Sequence, residues 1–353
     1  MDYKKQLDEL FEIVIREGAS DLHISEGRQP TIRVAGSLVP LARIAPFKRE
    51  DTEAILDLMI TKEVKALFES TKEVDFSYDF NARARFRGNA FFQQGHISIA
   101  LRLIPKQIKS FEDLKLPTVL ADFARRKQGF FLVVGPVGQG KTTTLASMIE
   151  LINEERAEHI VTIEDPIEYL YEQKKSIIDQ REVHIDTKDF GIALTEALRQ
   201  DVNVLLVGEM RNPETMSAAV TAAETGHLVF STLHTNNAAQ TIDRIIDSFP
   251  ASQQDQIRVQ LASSLIGVFS QRLVPRISGG LIPAYELLIV NNAVSNLIRE
   301  KRVHEINTII ETSSESGMID MNRCLADLVR RGEITIENAY KYAFNPKLLE
   351  RMV

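Results

Sequence analysis

Gly135-Pro136-Val137-Gly138-Gln139-Gly140-Lys141-Thr142 is a complete phosphate loop of the GxxxxGKT pattern. The apolar run Phe130-Phe131-Leu132-Val133-Val134 precedes it as a short buried strand, and Thr143 to Leu151, rich in helix formers, follows it. Strand, glycine loop and helix together are the setting in which this motif carries meaning. The glycines let backbone N–H groups turn inward without a Cβ clash, and the helix N-terminus adds partial positive charge. Lys141 can then reach the terminal phosphates of a nucleoside triphosphate, and Thr142 offers a hydroxyl to Mg²⁺. The stretch from Gly135 to Thr143 is thus the expected ATP site.

Working outward, strand and helix alternate around the loop. Candidate strands cover 130–134, 159–163, 203–208 and 227–232, and candidate helices 141–153, 189–200, 213–224 and 236–247. That alternation is the signature of an α/β domain with a mostly parallel sheet covered on both faces. Past Ser252 the pattern is mainly helical, broken by a strand at Ile282 to Ile289, and the tail from Asn345 to Val353 reads as frayed or loosely packed. Upstream, Leu7, Leu10, Phe11, Val14 and Ile15 give one apolar helix face. Alternating strands follow, with a hairpin over Ala35-Gly36, a helical stretch from Arg49 to Phe68, and more strands at Val74 to Phe80, Arg83 to Phe92 and Ile97 to Ile104. The division expected is a small α+β domain over 1–104, a linker over 105–117 with prolines at both ends, and the ATPase domain with its helical C-terminal part over 118–353.

Composition bounds the rest. At 353 residues two domains are the default, and 44% hydrophobic with 26% charged residues is ordinary for a soluble globular chain. No apolar run is long enough to span a bilayer, and the charged start at Met1-Asp2-Tyr3-Lys4-Lys5 is unlike a signal peptide, so a cytoplasmic protein without direct membrane insertion is expected. One cysteine, Cys324, rules out an internal disulfide and a cysteine–zinc cluster, and its neighbours suggest a buried position on a helix. A net charge of −7 speaks against nucleic-acid binding by bulk charge.

Several residues are chemical candidates. Val204 to Gly208 is an apolar strand ending at Glu209, a carboxylate placed to sit beside Mg²⁺ and to orient water or take its proton. A second strand, Ile160 to Ile163, ends at Glu164, which either adds charge to the same site or serves with Asp165-Pro166 as a strand cap and turn. His227 and His234 bracket a strand, with Thr232 and Thr235 beside the second, an arrangement suited to sensing a γ-phosphate. Arg83, Arg85 and Arg87 alternate along one strand, so all three guanidiniums are expected on one face, unrelieved by acids. That face is either a plain basic surface or a set of arginine fingers serving the next subunit of a ring.

These strings resemble the secretion-type (type II/IV) ring ATPases, and within that family the branch that retracts type IV pili. The resemblance runs through Gly18-Ala19-Ser20-Asp21-Leu22-His23, Ala84-Arg85-Phe86-Arg87 and the phosphate loop. It continues through the acidic box Thr162 to Glu168, the Walker B stretch Val207-Gly208-Glu209-Met210-Arg211, and the histidine box from Ala222 to Thr235. It implies a RecA-like ATPase domain preceded by a PAS-like domain, a homo-hexameric ring, and pilin disassembly in twitching motility through an inner-membrane platform protein, at the cytoplasmic face of the membrane. It makes Glu209 the Walker B acid and Glu164 the acidic-box carboxylate. Thr142 and Glu209 become the Mg²⁺ positions, directly or through water, His227 and His234 the histidine-box residues, and Arg85, Arg87 and Arg102 the groups supplied in trans. Assembly and export relatives usually carry a longer N-terminal region and a four-cysteine zinc insert, so the pattern here favours retraction over a pilus-assembly or secretion ATPase. Asn203 and Asn212 stand where the family usually has aspartates, Val137 and Gln139 replace the usual threonine and serine, and Ser295 replaces an arginine of the retraction signature. Those departures leave room for a ring that binds nucleotide with little turnover.

Overall fold

The computed structural model describes residues 2–34, 36–81, 83–104 and 107–353. The hairpin position Ala35 and the first linker residues, Pro105 and Lys106, lie outside the described residues. The chain divides into two compact units, Met1–Gln107 with Pro166–Leu170, and Ile108–Asp165 with Tyr171–Val353.

The first unit begins with helix α1 (Tyr3–Arg16), capped by Asp2, whose side chain accepts from the Lys5 N–H. Leu7, Leu10, Phe11 and Val14 recur at helical spacing and are fully buried. Strands β1 (Asp21–Ser25), β2 (Thr31–Val34) and β3 (Ser37–Pro40) follow, then α2 (Arg49–Met59) and α3 (Lys62–Thr71), then β4 (Glu73–Phe80), β5 (Ala84–Gln93) and β6 (His96–Ile104). The single helix expected over 49–68 is two, because Ile60 is extended and Thr61 caps the second by accepting from the Val64 N–H. The six strands pair antiparallel in the order β3-β2-β1-β6-β5-β4. One face packs on α1, where Phe11 stacks on Phe86 at 4.2 Å between ring centroids. The other face is polar.

In the second unit α4 (Val119–Ala124) leads to β7 (Gly129–Val134), α5 (Lys141–Glu155), β8 (His159–Glu164) and β9 (Ile177–Glu182). Then come α6 (Phe190–Ala197), β10 (Val204–Val207), α7 (Pro213–Glu224), β11 (Leu228–Leu233), α8 (Ala238–Asp247) and α9 (Ala251–Ser264). A hairpin of β12 (Leu265–Pro275) and β13 (Leu281–Ile289) precedes the short helices α10 (Asn292–Arg299), α11 (Ile306–Thr312), α12 (Met321–Arg330), α13 (Ile336–Tyr342) and α14 (Pro346–Glu350). The sheet runs β13-β12-β7-β11-β10-β8-β9, parallel except for the edge strand β13. Helices cover both faces, which is why β7 is apolar at every position. Phe130, Leu132 and Val134 enter one core with α6 to α9, and Phe131 and Val133 enter the other with α4 and α5.

Three expectations are corrected. The helical reading past Ser252 misses a second strand: between Leu265 and Pro275 the chain runs as β12, buried along nearly its whole length, before the expected strand β13 and the helices from Asn292 on. The polar edge strand β9 carries little apolar patterning and was not among the candidate strands. The tail is docked rather than frayed: Leu349 is fully buried in a cluster with Cys324 and Leu325, and Asn345 caps α14 by accepting from the Leu348 N–H. Cys324 is buried on α12, and that burial pushes its thiol up to about 12. Among the described residues no helix is long and apolar enough to cross a membrane.

Candidate nucleotide site

The C-terminal ends of β7, β8, β10 and β11 lie side by side, and each delivers one element of the site. Beyond β7 the chain needs backbone that only glycine adopts easily, with φ of 146° at Gly135, 76° at Gly138 and 77° at Gly140. At Gly135 close approach adds a second demand, since a Cβ there would sit 2.5 Å from the Gln271 carbonyl oxygen. Gly140 caps α5 without a side chain, so no cap side chain competes with an anion for the helix N-terminus. Pro136 and Val137 form the crown of the loop, and Val137 is 79% exposed.

Lys141 is folded back into that loop. Its Nζ donates to the Gly135 carbonyl at 2.8 Å and the Pro136 carbonyl at 3.0 Å, and lies 3.2 Å from His234 Nδ1. His234 Nε2 is 3.1 Å from Glu209 Oε1, and the other Glu209 oxygen accepts from Arg211. An ammonium has only protons to offer, so His234 Nδ1 is the acceptor and Nε2–H points to Glu209. The result is a continuous line, Lys141 to His234 to Glu209, joining the loop after β7 to the residues after β11 and β10.

Glu164 ends β8, buried, with Oε1 accepting from Thr162 Oγ1 at 2.7 Å. The register that pairs Ile163 with Val207 brings it beside Gly208 and the approach to Glu209. Thr232 Oγ1 donates to the Gly208 carbonyl at 2.7 Å and ties the end of β11 to the same place. Thr142, Glu209 and Glu164 offer hydroxyl and carboxylate oxygens, the hard donors that fit Mg²⁺.

His227 is a correction. It precedes β11 at the edge where Leu228 pairs with Gly129, the far end of the sheet from the loop. The six residues of β11 separate it from His234, seven steps or about 23 Å at roughly 3.3 Å per residue. Its Nδ1–H donates to the Ala222 carbonyl at 2.9 Å, so within the chain it secures the turn after α7 and does not meet a phosphate on Lys141.

The arginines of the first unit are corrected in a different way. Arg83 turns away from the other two: it precedes β5, forks onto Glu12 of α1 and lies over the Phe80 ring. Arg85 and Arg87 do share the polar sheet face, with Arg102 directly across from Arg87. They are not unrelieved, because Arg85 donates to Ser77, Arg87 to Glu168 at 3.2 Å and Arg102 to Asp21 at 2.9 Å. Burial pushes the Asp21 carboxyl up, but hydrogen bonds from Ser20 and Arg102 outweigh it and hold the group below its usual range.

Gln271, absent from the sequence candidates, braces the loop. Its amide donates to the Gln139 carbonyl and its oxygen accepts from Thr144 Oγ1 at 2.7 Å, while Gln139 Oε1 accepts from the Leu273 N–H. The unusual Gln139 therefore bonds the loop to β12. Asn212 caps α7 by accepting from the Thr215 N–H. Asn203 accepts from the His159 N–H where β8 and β10 begin, the end of the sheet away from Glu209. The two amides that prompted the low-turnover reading thus have structural work apart from the chemistry.

Residues 3–281 match the family model described as type II/IV secretion system protein. The type IV pilus retractation ATPase PilT of Pseudomonas aeruginosa is 44% identical over 342 residues, spanning 97% of this chain and 99% of that protein. A twitching motility protein of Neisseria gonorrhoeae is 45% identical over 317 residues, 90% of this chain and 84% of that one. The crystal structure of the pilus retraction motor PilT with bound ADP matches with a TM-score of 0.90 at 45% identity, over 98% of both chains.

Proposed function

Because this chain belongs to the type II/IV secretion system protein family, we propose that it is the ATPase motor that retracts a type IV pilus, drawing the fibre back into pilin for twitching motility. The activity is hydrolysis of ATP to ADP and phosphate by a RecA-like phosphate-loop domain. The observation that carries this reading is the Lys141–His234–Glu209 line at the ends of parallel strands, in a chain matched over nearly its whole length by retraction motors.

In the proposed site the triphosphate takes the loop N–H groups, and Lys141 leaves the Gly135 and Pro136 carbonyls for the terminal phosphates. Thr142 and Glu209 would hold Mg²⁺, directly or through water, and the ion would supply charge neutralisation to the phosphates. Glu209 takes the proton of the attacking water, and Glu164 adds the charge that orients it. When Lys141 moves, His234 loses its cation partner and becomes free to donate to the γ-phosphate. Six copies form a ring in which Arg85, Arg87 and Arg102 of one subunit reach the nucleotide of the next, and an inner-membrane platform protein receives the motion. Deleting the gene tests the assignment. Hyperpiliated cells that no longer twitch are expected, whereas bald cells would assign the chain to pilus assembly.

A further inference from the structure

Arg272 is 7% exposed, and among the described residues no carboxylate pairs with its guanidinium within salt-bridge distance, Glu286 attracting it from further off. The buried cation is attracted by Glu286 but hydrogen-bonds only to neutral groups, an arrangement that costs stability where an apolar side chain of similar volume would fill the space as well. Its hydrogen bonds are specific. Nη1 donates to the Gln271 carbonyl at 2.8 Å, the oxygen packed against Gly135. Nη2 donates to Asn236, to its carbonyl at 3.2 Å and its Oδ1 at 3.0 Å. Ser270 Oγ bonds the same Asn236 carbonyl at 2.7 Å, and Glu286 across the hairpin accepts from the Ala238 N–H. Burial pushes the Glu286 carboxyl up to about 7. The ring of Phe344, from the C-terminal segment, lies 5.6 Å from the guanidinium.

Asn236 stands two residues past His234. The segment Ser270 to Arg272 is therefore bonded on one side to the phosphate loop, through Gln271 to Gln139 and Thr144, and on the other to the loop that carries His234. We infer that Arg272 is a positioning residue for ATP hydrolysis: it locks the His234 loop to the phosphate loop, so that the two meet the γ-phosphate as one rigid set. Loop N–H groups and Lys141 bind nucleotide without it. Its loss falls on the chemical step, where a small misplacement is expensive.

This inference rests on the ATPase reading, and the full-length chain tests both. Steady-state ATPase rates are measured for the native protein, Arg272→Lys, Asn236→Ala and the double variant, with binding of a fluorescent N-methylanthraniloyl-ADP and melting temperature alongside. Arg272→Lys keeps the charge but not the fork. It should lower kcat by about 10- to 100-fold with KM and ADP-analogue affinity little changed. Asn236→Ala should lower kcat in the same direction, and the double variant should fall no further than Arg272→Lys alone. Native kcat in Arg272→Lys with only a lower melting temperature would make the arginine merely structural and overturn the inference, as would losses that multiply in the double variant. If Arg272→Lys does not fold, Asn236→Ala decides: reduced kcat at native melting temperature supports the strut, and native kcat overturns it. A native chain without turnover overturns the ATPase reading and this one with it, whereas native turnover with unaffected variants overturns only this one.

Discussion

Lys141 and the arginines of the first unit carry the same charge in opposite surroundings. Lys141 is buried, and its ammonium donates to two carbonyls of its own loop and to the ring of His234 among its contacts. Arg87 and Arg102 stand 38% and 71% exposed on an open sheet face, held by carboxylates of their own unit. Neutral carbonyls are weak rivals to a triphosphate, so in the proposed site the lysine should change partners when nucleotide binds. The arginines have ionic partners already, and exposed ion pairs of this kind are worth little, so a stronger anion can take them over. What differs is where that anion comes from. The lysine belongs to the phosphate loop itself, whereas in the proposed ring the arginines would take their anion from the nucleotide of another subunit.

The largest effect should fall on the buried cation. Lys141→Ala removes the charge from the terminal phosphates, and ATP turnover should disappear. Phosphate release by the purified variant checks it, and normal turnover there would end the phosphate-loop reading. Next comes the exposed set. Arg87→Ala should lower turnover by about 10³-fold or more, the usual loss of an arginine finger, while ADP affinity stays near native. Mixing it with Lys141→Ala should recover part of the rate, because some sites then draw their loop from one parent and their arginine from the other. A rate that follows the mixing ratio with no gain above both parents would return Arg87 to the status of a surface residue.

Glu209→Gln should rank third, about 10²- to 10⁴-fold down with ATP still bound, since an amide accepts hydrogen bonds but does not take up a proton. Single-turnover hydrolysis after ATP binding separates the steps. A normal rate would shift the proton-accepting role to Glu164, a buried carboxylate at the same end of the sheet.

The same contrast of buried and exposed explains what the sequence could reveal. β7 is readable because both its faces are apolar and a glycine loop marks its end. β12 is its neighbour in the sheet and equally buried, yet Ser270, Gln271 and Arg272 lie within it, their polar atoms satisfied by loops distant in sequence. No local pattern distinguishes such a strand from a polar helix face, and the brace beneath the phosphate loop was hidden with it. Glu164, Glu209 and His234 were legible because parallel strands that end in polar residues put those residues at one edge. The arginine strand was legible in its alternation, but not in its acids, since Asp21 and Glu168 are remote in sequence and join it only through the fold.

The smallest effect tests whether the edge of the sheet, rather than the residue type, decides a role. His227 and His234 flank one strand, but only His234 stands at the edge that holds Lys141. His227 donates to Ala222 at the opposite edge, where it closes the turn between α7 and β11. His227→Ala should therefore leave kcat near native and cost about 1 kcal/mol of stability, the ordinary value of one lost hydrogen bond. His234→Ala should do the reverse, lowering kcat with little change in melting temperature, because its ring is 44% exposed and packs against no core. Paired measurements of kcat and thermal melting on the two variants check this. A loss of turnover in assembled His227→Ala without loss of stability would mean that this histidine reaches a nucleotide held by another subunit. The rule that one edge of the sheet holds the chemistry would then fail for the ring, though not for the single chain.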